Sequence, residues 1–243
     1  MFLKQPALSF IDVSFSKGDL HIIKNISGEI TAGNITAFIG PSGAGKSTLF
    51  RLINQLTTKT TGEIIFNSQS IDTFNPMTLR KKVGVVLQEA VMIPGTVYDN
   101  LRLPRQLEGR DLPLTEAKDF LRKVGLEEKF LHTKAKELSG GQKQKVSIAR
   151  TLVNEPEILL MDEITSSLDQ VSAQAIESLI TSFNHDERQT ILWITHNIDQ
   201  AKRLSDETWV LIDGECLYQG PTADLYNATD KHVRDFLEGG DGP

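Results

Sequence analysis

Nine consecutive residues combine glycine, lysine and hydroxyl side chains in a spacing suited to binding a triphosphate. They are Gly40, Pro41, Ser42, Gly43, Ala44, Gly45, Lys46, Ser47 and Thr48. Glycines let successive backbone N–H groups turn toward one anion, and the start of a helix adds partial positive charge. Lys46 can reach the β- and γ-phosphates, and the Ser47 hydroxyl can ligate Mg²⁺. This phosphate loop predicts that the protein binds a nucleoside triphosphate.

The residues on either side supply the strand and the helix that such a loop needs. Residues 35–39 form an apolar run that predicts a buried strand, and residues 49–53 predict the first turns of a helix. Glycine-rich turns between a strand and a helix also occur in proteins that bind no ligand. The complete pattern in this context favours the phosphate-binding interpretation.

A second chemically active group follows another apolar run. Residues 158–161 are Ile, Leu, Leu and Met, and the next two are Asp162 and Glu163. Two adjacent carboxylates repel each other, so packing does not explain this ending of a buried strand. Beside a triphosphate and Mg²⁺, one acid can hold the metal's water shell and the other can activate a water. The alternative is a pair of acids at a solvated strand end.

The bulk composition is that of a globular α/β protein. The chain has 243 residues, 39% hydrophobic and 24% charged, and a formal net charge of −6. A net negative charge argues against non-specific binding to nucleic acid. The single cysteine, Cys216, cannot form an internal disulfide. Because the chain also lacks a signal peptide and any apolar stretch of about 20 residues, the sequence predicts a cytosolic protein.

The order of the elements predicts one α/β domain over residues 1–238, followed by a disordered tail at 239–243. Residues 89–151 are mostly helical in pattern and form an insertion in this domain. Outside the insertion, strands are predicted at residues 8–13, 20–26, 63–66, 83–87 and 191–195, and a hairpin at 210–218 around Asp213-Gly214. Apolar residues at helical spacing predict one helix within the insertion, at 114–124, and another after it, with Val171, Ile176, Leu179, Ile180 and Phe183 on its apolar face. Residues 232–237 predict a last short helix.

Residues 138–142 read Leu-Ser-Gly-Gly-Gln and precede an apolar helical face. Gly140 and Gly141 leave the helix N-terminus bare, which makes an anion site. With the phosphate loop and the acidic strand, this set resembles the nucleotide-binding subunits of ATP-binding-cassette transporters, over about residues 8–225. The resemblance implies a P-loop NTPase with a RecA-like core, an N-terminal antiparallel β subdomain and an inserted helical subdomain. It also implies that the protein hydrolyses ATP with Mg²⁺.

The resemblance assigns a role to five further positions. Gln88 matches the residue that senses the γ-phosphate and helps to ligate Mg²⁺. Asp162 matches the acid that supports Mg²⁺ through water, and Glu163 matches the catalytic base. Asp169 matches the acid of the loop that crosses a dimer interface, and His196 the histidine that contacts the γ-phosphate.

The same resemblance implies the protein's partners. Two copies pair head to tail, so that Ser139, Gly140, Gly141 and Gln142 of one copy close on the ATP held by the other. A groove near residues 91–101 receives a helix of an integral membrane permease, which places the chain at the cytoplasmic face of the cell membrane. No nucleic acid is expected as a partner.

The sequence departs from the family pattern in three places. Lys17 stands where an aromatic residue stacks on adenine; Phe15 can substitute for that residue, or it is an ordinary half-buried strand residue. Ile164 replaces a proline after the two acids. Lys143 and Lys145 replace arginines after the Leu-Ser-Gly-Gly-Gln segment, which keeps the charge but loses the bidentate fork.

Three classes of cassette ATPase remain open, and the solute transporter is favoured. Residues 95–110, the segment DEITSSLD and the segment LWITH resemble a branch linked to bacterial iron export and plant aluminium tolerance, sometimes labelled as phosphate importers. A metal ion such as iron is then one expected cargo. The second class drives a membrane complex that moves no solute, as in mechanical signalling or lipoprotein release. The third is a soluble DNA-repair or translation ATPase, which the absence of heptads, of cysteines in the insertion and of a second cassette disfavours.

Overall fold

The computed structural model describes residues 6–239 of the chain, so most of the predicted tail at 239–243 lies outside the described residues. Ten strands and eight α-helices, with short 3₁₀ turns between them, make up this part. The strands are β1 (Pro6–Lys17), β2 (Leu20–Thr31), β3 (Ile35–Ile39), β4 (Thr61–Phe66), β5 (Gln69–Ser70), β6 (Val83–Val86), β7 (Ile158–Asp162), β8 (Thr190–Ile194), β9 (Glu207–Ile212) and β10 (Glu215–Pro221). The helices are α1 (Lys46–Ile53), α2 (Pro76–Lys82), α3 (Val97–Gln106), α4 (Leu114–Lys123), α5 (Gly140–Leu152), α6 (Gln170–Glu187), α7 (Ile198–Leu204) and α8 (Lys231–Leu237).

The strands form two sheets of different character. The smaller has the order β2-β1-β4-β5 and is antiparallel throughout. The larger has the order β10-β9-β3-β8-β7-β6, and only the β9–β10 pair in it is antiparallel. Because the carboxyl ends of parallel strands lie at one edge, the residues after β3, β6, β7 and β8 lie along the same edge of the larger sheet.

The central strands are apolar because the larger sheet is covered on both faces. All five residues of β3 and of β8 are buried. On one face Phe38 packs in a core with Phe10 of the smaller sheet and Leu49 of α1. On the other face Trp193 packs in a core that includes residues of α3, α4, α5 and α6. This arrangement is the predicted P-loop fold, with an antiparallel sheet on one side and helices on the other.

Several element boundaries differ from the sequence-based prediction. Helix α1 begins at Lys46 and not at residue 49, because Gly45 adopts a left-handed conformation (φ 98°) and turns the chain directly into the helix. Strand β5 and helix α7 were not predicted. Val171, assigned to the apolar face of α6, is 77% exposed. In the part of the chain at 6–239, none of the helices combines the length and the apolar character that crossing a bilayer requires.

Candidate nucleotide-binding and hydrolysis site

The phosphate loop is folded around the ammonium group of Lys46. The Nζ atom donates hydrogen bonds to the carbonyl oxygens of Gly40 and Pro41, both at 2.8 Å. The side chain is buried, and this burial lowers the pKa of Lys46, while the charges of Glu163 and Asp162 oppose the shift. The loop therefore holds a desolvated cation whose hydrogen bonds can be exchanged for phosphate oxygens.

Two glycines of the loop are required by close contacts with neighbouring backbone. A Cβ at Gly40 would lie 1.9 Å from the carbonyl oxygen of Leu211 on β9, and the φ angle of Gly40 is 144°. A Cβ at Gly45 would lie 3.0 Å from the carbonyl oxygen of Ile22 on β2, and the φ angle of Gly45 is 98°. No larger residue fits either position, so the spacing of glycines follows from packing as well as from anion binding.

The first acid of the pair faces the loop. Ser47 donates a hydrogen bond from its Oγ atom to Oδ1 of Asp162, at 3.0 Å. Burial raises the pKa of Asp162; the hydrogen bond from Ser47 opposes the shift, and the charge of Glu163 adds to it. A hydroxyl and a carboxylate in contact are the oxygen donors that a hard divalent cation prefers.

The second acid turns away from the first. Glu163 has a left-handed backbone conformation (φ 50°), which is unusual for a residue with a side chain. Its backbone N–H donates to the carbonyl of Ile194 on β8, at 3.1 Å. Its Oε1 atom lies 2.6 Å from Nε2 of His196, which follows β8. The backbone turn therefore places the carboxylate of Glu163 against His196, a contact that the sequence analysis did not predict.

The phosphate loop, Glu163 and His196 share one cavity of about 190 Å³. It is lined by residues 42–48 of the phosphate loop together with Ile22, Glu163 and His196. Ile22 is a contact that no sequence motif identifies. Phe15 is not among the lining residues; it is half-buried and packs against the core that contains Phe10. Its predicted contact with adenine remains a prediction.

Gln88 contacts Ser166, the first residue of the 166–169 loop that the family resemblance assigns to a dimer interface. Its Nε2 atom donates to Oγ of Ser166 at 3.0 Å. Ser166 in turn donates from Oγ to the carbonyl oxygen of Glu163 at 2.9 Å. A single hydroxyl thus connects the Gln88 amide to the backbone of Glu163 through two hydrogen bonds.

Ser139, Gly140, Gly141 and Gln142 lie outside the phosphate-loop cavity. Ser139 caps α5 by accepting from the Gln142 N–H at 3.3 Å, and Gln142 Oε1 accepts from the Ser139 N–H at 2.9 Å. The start of α5 lies against the start of α6. A Cβ at Gly141 would lie only 2.7 Å from Oγ of Ser172.

Asp169 caps α6. Its carboxylate accepts from the N–H and the Oγ of Ser172, at 2.9 and 2.7 Å. These bonds lower the pKa of Asp169. The carboxylate is therefore ionised and oriented at the surface next to Gly141.

Replacing Asp162 by Asn should stabilise the nucleotide-free protein at neutral pH. Because the folded-state pKa of Asp162 is raised, stability falls as pH rises from the ordinary value of 3.8 through the raised one. Asparagine carries no charge, so we expect Asp162→Asn to raise the Tm by about 2–4 °C at pH 8, and by less near pH 4. Thermal unfolding over this pH range, with Asp19→Asn in the exposed β1–β2 turn as control, measures the difference. A lower Tm at pH 8 would refute the account of Asp162.

Comparison with known proteins identifies the family. The profile of the family described as ABC transporter matches residues 23–166. The protein YjkB of Bacillus subtilis (strain 168) is 40% identical over 240 residues, which covers 97% of this chain and 95% of YjkB.

Solved structures agree. One of them is CbiO1 from Clostridium perfringens, described as part of the ABC transporter complex cbiONQ. It superposes with a TM-score of 0.83 at 29% sequence identity, and the match covers 96% of this chain and 95% of the CbiO1 chain. The ATP-binding cassette MJ0796, a dimer bound to ADP and Pi, superposes with a TM-score of 0.77 at 31% sequence identity. This match covers 88% of this chain and 98% of the MJ0796 chain. The chain belongs to the ABC transporter family, and is an ATP-binding subunit that hydrolyses ATP to energise transport.

Proposed function

We propose that Glu163 activates the water that attacks the γ-phosphate of ATP, and that His196 holds this carboxylate and contacts the same phosphate. The observation that carries the proposal is the 2.6 Å contact between Glu163 Oε1 and His196 Nε2 at the phosphate-loop cavity. A carboxylate beside the phosphate loop can accept the proton of a water placed between them. The histidine then fixes the direction in which the carboxylate points.

In this proposal the loop stabilises the charge that develops on the phosphate oxygens. Lys46 exchanges its two carbonyl acceptors for phosphate oxygens, and the low-dielectric surroundings that lower its pKa strengthen the new contacts. Backbone N–H groups at the start of α1 add donors that are fixed before the substrate arrives. The loop therefore needs little reorganisation to bind the triphosphate.

Ser47 and Asp162 fit a Mg²⁺ ion, since a hydroxyl and a carboxylate oxygen are in contact there and burial leaves the Asp162 carboxylate poorly solvated. Ser47 would hold the ion directly, Asp162 through water, and Gln88 from the end of β6. When bound, Mg²⁺ would neutralise part of the negative charge of the triphosphate. Ser47 and Asp162 orient each other and so keep both oxygens available on one side of the loop.

Replacing Glu163 by Gln tests the general base. The amide keeps the shape of the side chain but cannot accept a proton from water, so turnover should fall by about 10²–10⁴-fold. Binding of a fluorescent ATP analogue should be retained, and the ATP-bound form should accumulate as a dimer on size-exclusion chromatography. Glu29→Gln, an exposed position on β2, is the control. Unchanged hydrolysis in Glu163→Gln would exclude Glu163 as the base.

We propose further that a second copy completes the site. Ser139, Gly140, Gly141 and Gln142 form a capped helix start that lies outside the phosphate cavity of their own chain. The two bonds of the cap use the N–H groups of Ser139 and Gln142, so those of the two glycines stay available to the phosphate oxygens of ATP on another copy. The related cassette MJ0796 is a dimer, which supports the pairing of two copies.

Mixing two inactive variants tests this shared site. Lys46→Met removes the phosphate-loop cation, and Gly140→Asp puts a carboxylate at the anion site. Position 140 admits a Cβ, since its nearest contact would be Leu168 at 3.5 Å. In a head-to-tail dimer the mixed pair contains one intact site, so a 1:1 mixture should recover roughly a quarter of wild-type ATPase activity. No recovery, with both variants folded and the mixed dimer formed, would refute the shared site.

A membrane permease is the proposed partner on another face. Residues 89–96 line a cavity of about 720 Å³ together with Lys134, Ala135, Lys136 and Lys143. We call residues 89–96 the apolar lip of this cavity, and Val91 within it is 58% exposed. An apolar lip bordered by three lysines fits an amphipathic segment with acidic side chains. The relative CbiO1 is part of a transporter complex, and the proposal puts this chain at the cytoplasmic face of the cell membrane.

Val91→Glu should prevent capture of the permease. A carboxylate on the lip loses the apolar contact and repels an acidic partner segment. We expect a tagged Glu163→Gln protein with ATP to retain a multi-span polypeptide from detergent-solubilised membranes, and the added Val91→Glu change to lower its yield at least tenfold. Leu20→Glu, at a residue that is 65% exposed on β2, is the matched control. Equal capture by both variants would place the permease elsewhere, and capture of ribosomal or DNA-repair proteins alone would overturn the transporter function.

A further inference from the structure

A chain of buried polar side chains lies behind Glu163 and His196, between α6, α7 and the end of β8. Thr195, Gln200 and Glu177 are only 5%, 6% and 8% exposed. The sequence analysis identified none of the three. Buried polar groups of this kind destabilise a fold unless all of them are paired, so their arrangement calls for an explanation.

The hydrogen-bond partners of the Gln200 side-chain amide fix which end is its nitrogen and which its oxygen. Its Nε2 atom donates to Oε1 of Glu177 at 2.8 Å and to Oγ1 of Thr165 at 3.1 Å. Its Oε1 atom accepts from the hydroxyl of Thr195. An ionised carboxylate only accepts, so Glu177 fixes which end of the amide faces Thr195. Arg203 donates to the other oxygen of Glu177 and so holds that carboxylate in place.

The same bonds reach the backbone around both catalytic side chains. Thr165 is two residues after Glu163, and Thr195 directly precedes His196. Since the Thr195 hydroxyl donates to Gln200, its free lone pairs face the Asn197 N–H, from which it accepts a bond of 3.0 Å. Asn197 in turn accepts from the Gln200 N–H at 2.9 Å. His196, itself exposed, thus lies between two anchored residues.

We infer that Gln200, oriented by Glu177, is a positioning residue for ATP hydrolysis: it locks the loop of His196 to the loop of Glu163 and so sets their contact. The inference rests on the proposed roles of Glu163 and His196. Neither Gln200 nor Glu177 touches the phosphate-loop cavity, so both act through the residues that they hold. Their loss should therefore lower kcat and leave ATP binding intact.

Gln200→Met tests this positioning, because methionine matches the length of glutamine and makes none of its hydrogen bonds. Displacement of catalytic groups by a distant change can lower a rate by about 10²-fold, and we expect kcat to fall about 10–100-fold with KM within twofold. Glu177→Gln should also lower kcat, because an amide at position 177 can both donate and accept and so no longer fixes the orientation of the Gln200 amide. Gln106→Met, the same replacement at an exposed position on α3, should leave kcat unchanged.

A second measurement separates positioning from a loss of folding. In a His196→Ala background the contact that Gln200 sets is already absent, so adding Gln200→Met should lower kcat by no more than about twofold. Hydrogen exchange of the segment 195–200 should speed up in Gln200→Met. An equal loss in both backgrounds, a raised KM at unchanged kcat, or faster exchange at unchanged kcat would each overturn the inference. If His196→Ala alone is fully active, the proposed role of His196 fails, and the inference fails with it.

Discussion

The site depends on keeping two adjacent carboxylates at the end of one strand apart. Asp162 is the last residue of β7, and Glu163 follows it in a left-handed conformation. This turn directs Asp162 to Ser47 and Glu163 to His196. Without it, two like charges would compete for one environment, and one of them would take up a proton. A locally unfavourable backbone angle thus provides two acids with two different partners.

The smaller sheet has a direct part in holding the phosphate loop. Gly214, in the turn between β9 and β10, would place a Cβ 2.5 Å from the carbonyl of Ile22 on β2, and its own carbonyl accepts from the Lys24 N–H at 2.9 Å. On the other side, Gly40 meets the carbonyl oxygen of Leu211 at a distance that only glycine allows, and Gly45 meets the carbonyl oxygen of Ile22 in a left-handed conformation. The phosphate loop is therefore held between β2 and β9. Its shape is set by packing of the whole domain and not by the nine residues alone.

Sequence reasoning found the parts of the site that rest on local chemistry. The phosphate loop, the acidic strand end and the strand before His196 are visible because each combines an apolar run with a polar ending. The turn at Asp213-Gly214 was predicted for the same local reason, and both residues have positive φ angles. Family, fold and ATPase function followed from the phosphate loop and the acidic strand together with the segment Leu-Ser-Gly-Gly-Gln at 138–142, and are confirmed by the comparisons.

The parts that escaped prediction depend on tertiary contacts. Ser166 connects Gln88 to Glu163, and Gln200 meets Glu177 across 23 positions of the chain. Neither pairing has a spacing that a single sequence marks as unusual. Val171 was assigned to an apolar face because its type fits the helical period, yet it is exposed. Periodicity predicts which face of a helix is apolar, but it does not tell which residues of that face another element covers.

The polar groups of the site are already paired with protein atoms, and this bears on how the substrate is bound. Lys46 donates to two loop carbonyls, Ser47 to Asp162, and Gln88 to Ser166. Each of these donors can exchange one oxygen acceptor for another, so that binding leaves few of them without a partner. The net gain from such exchanges is small when both acceptors are neutral, and larger when the new acceptor is charged. The site is therefore built to favour a ligand with several anionic oxygens over a neutral one of the same size.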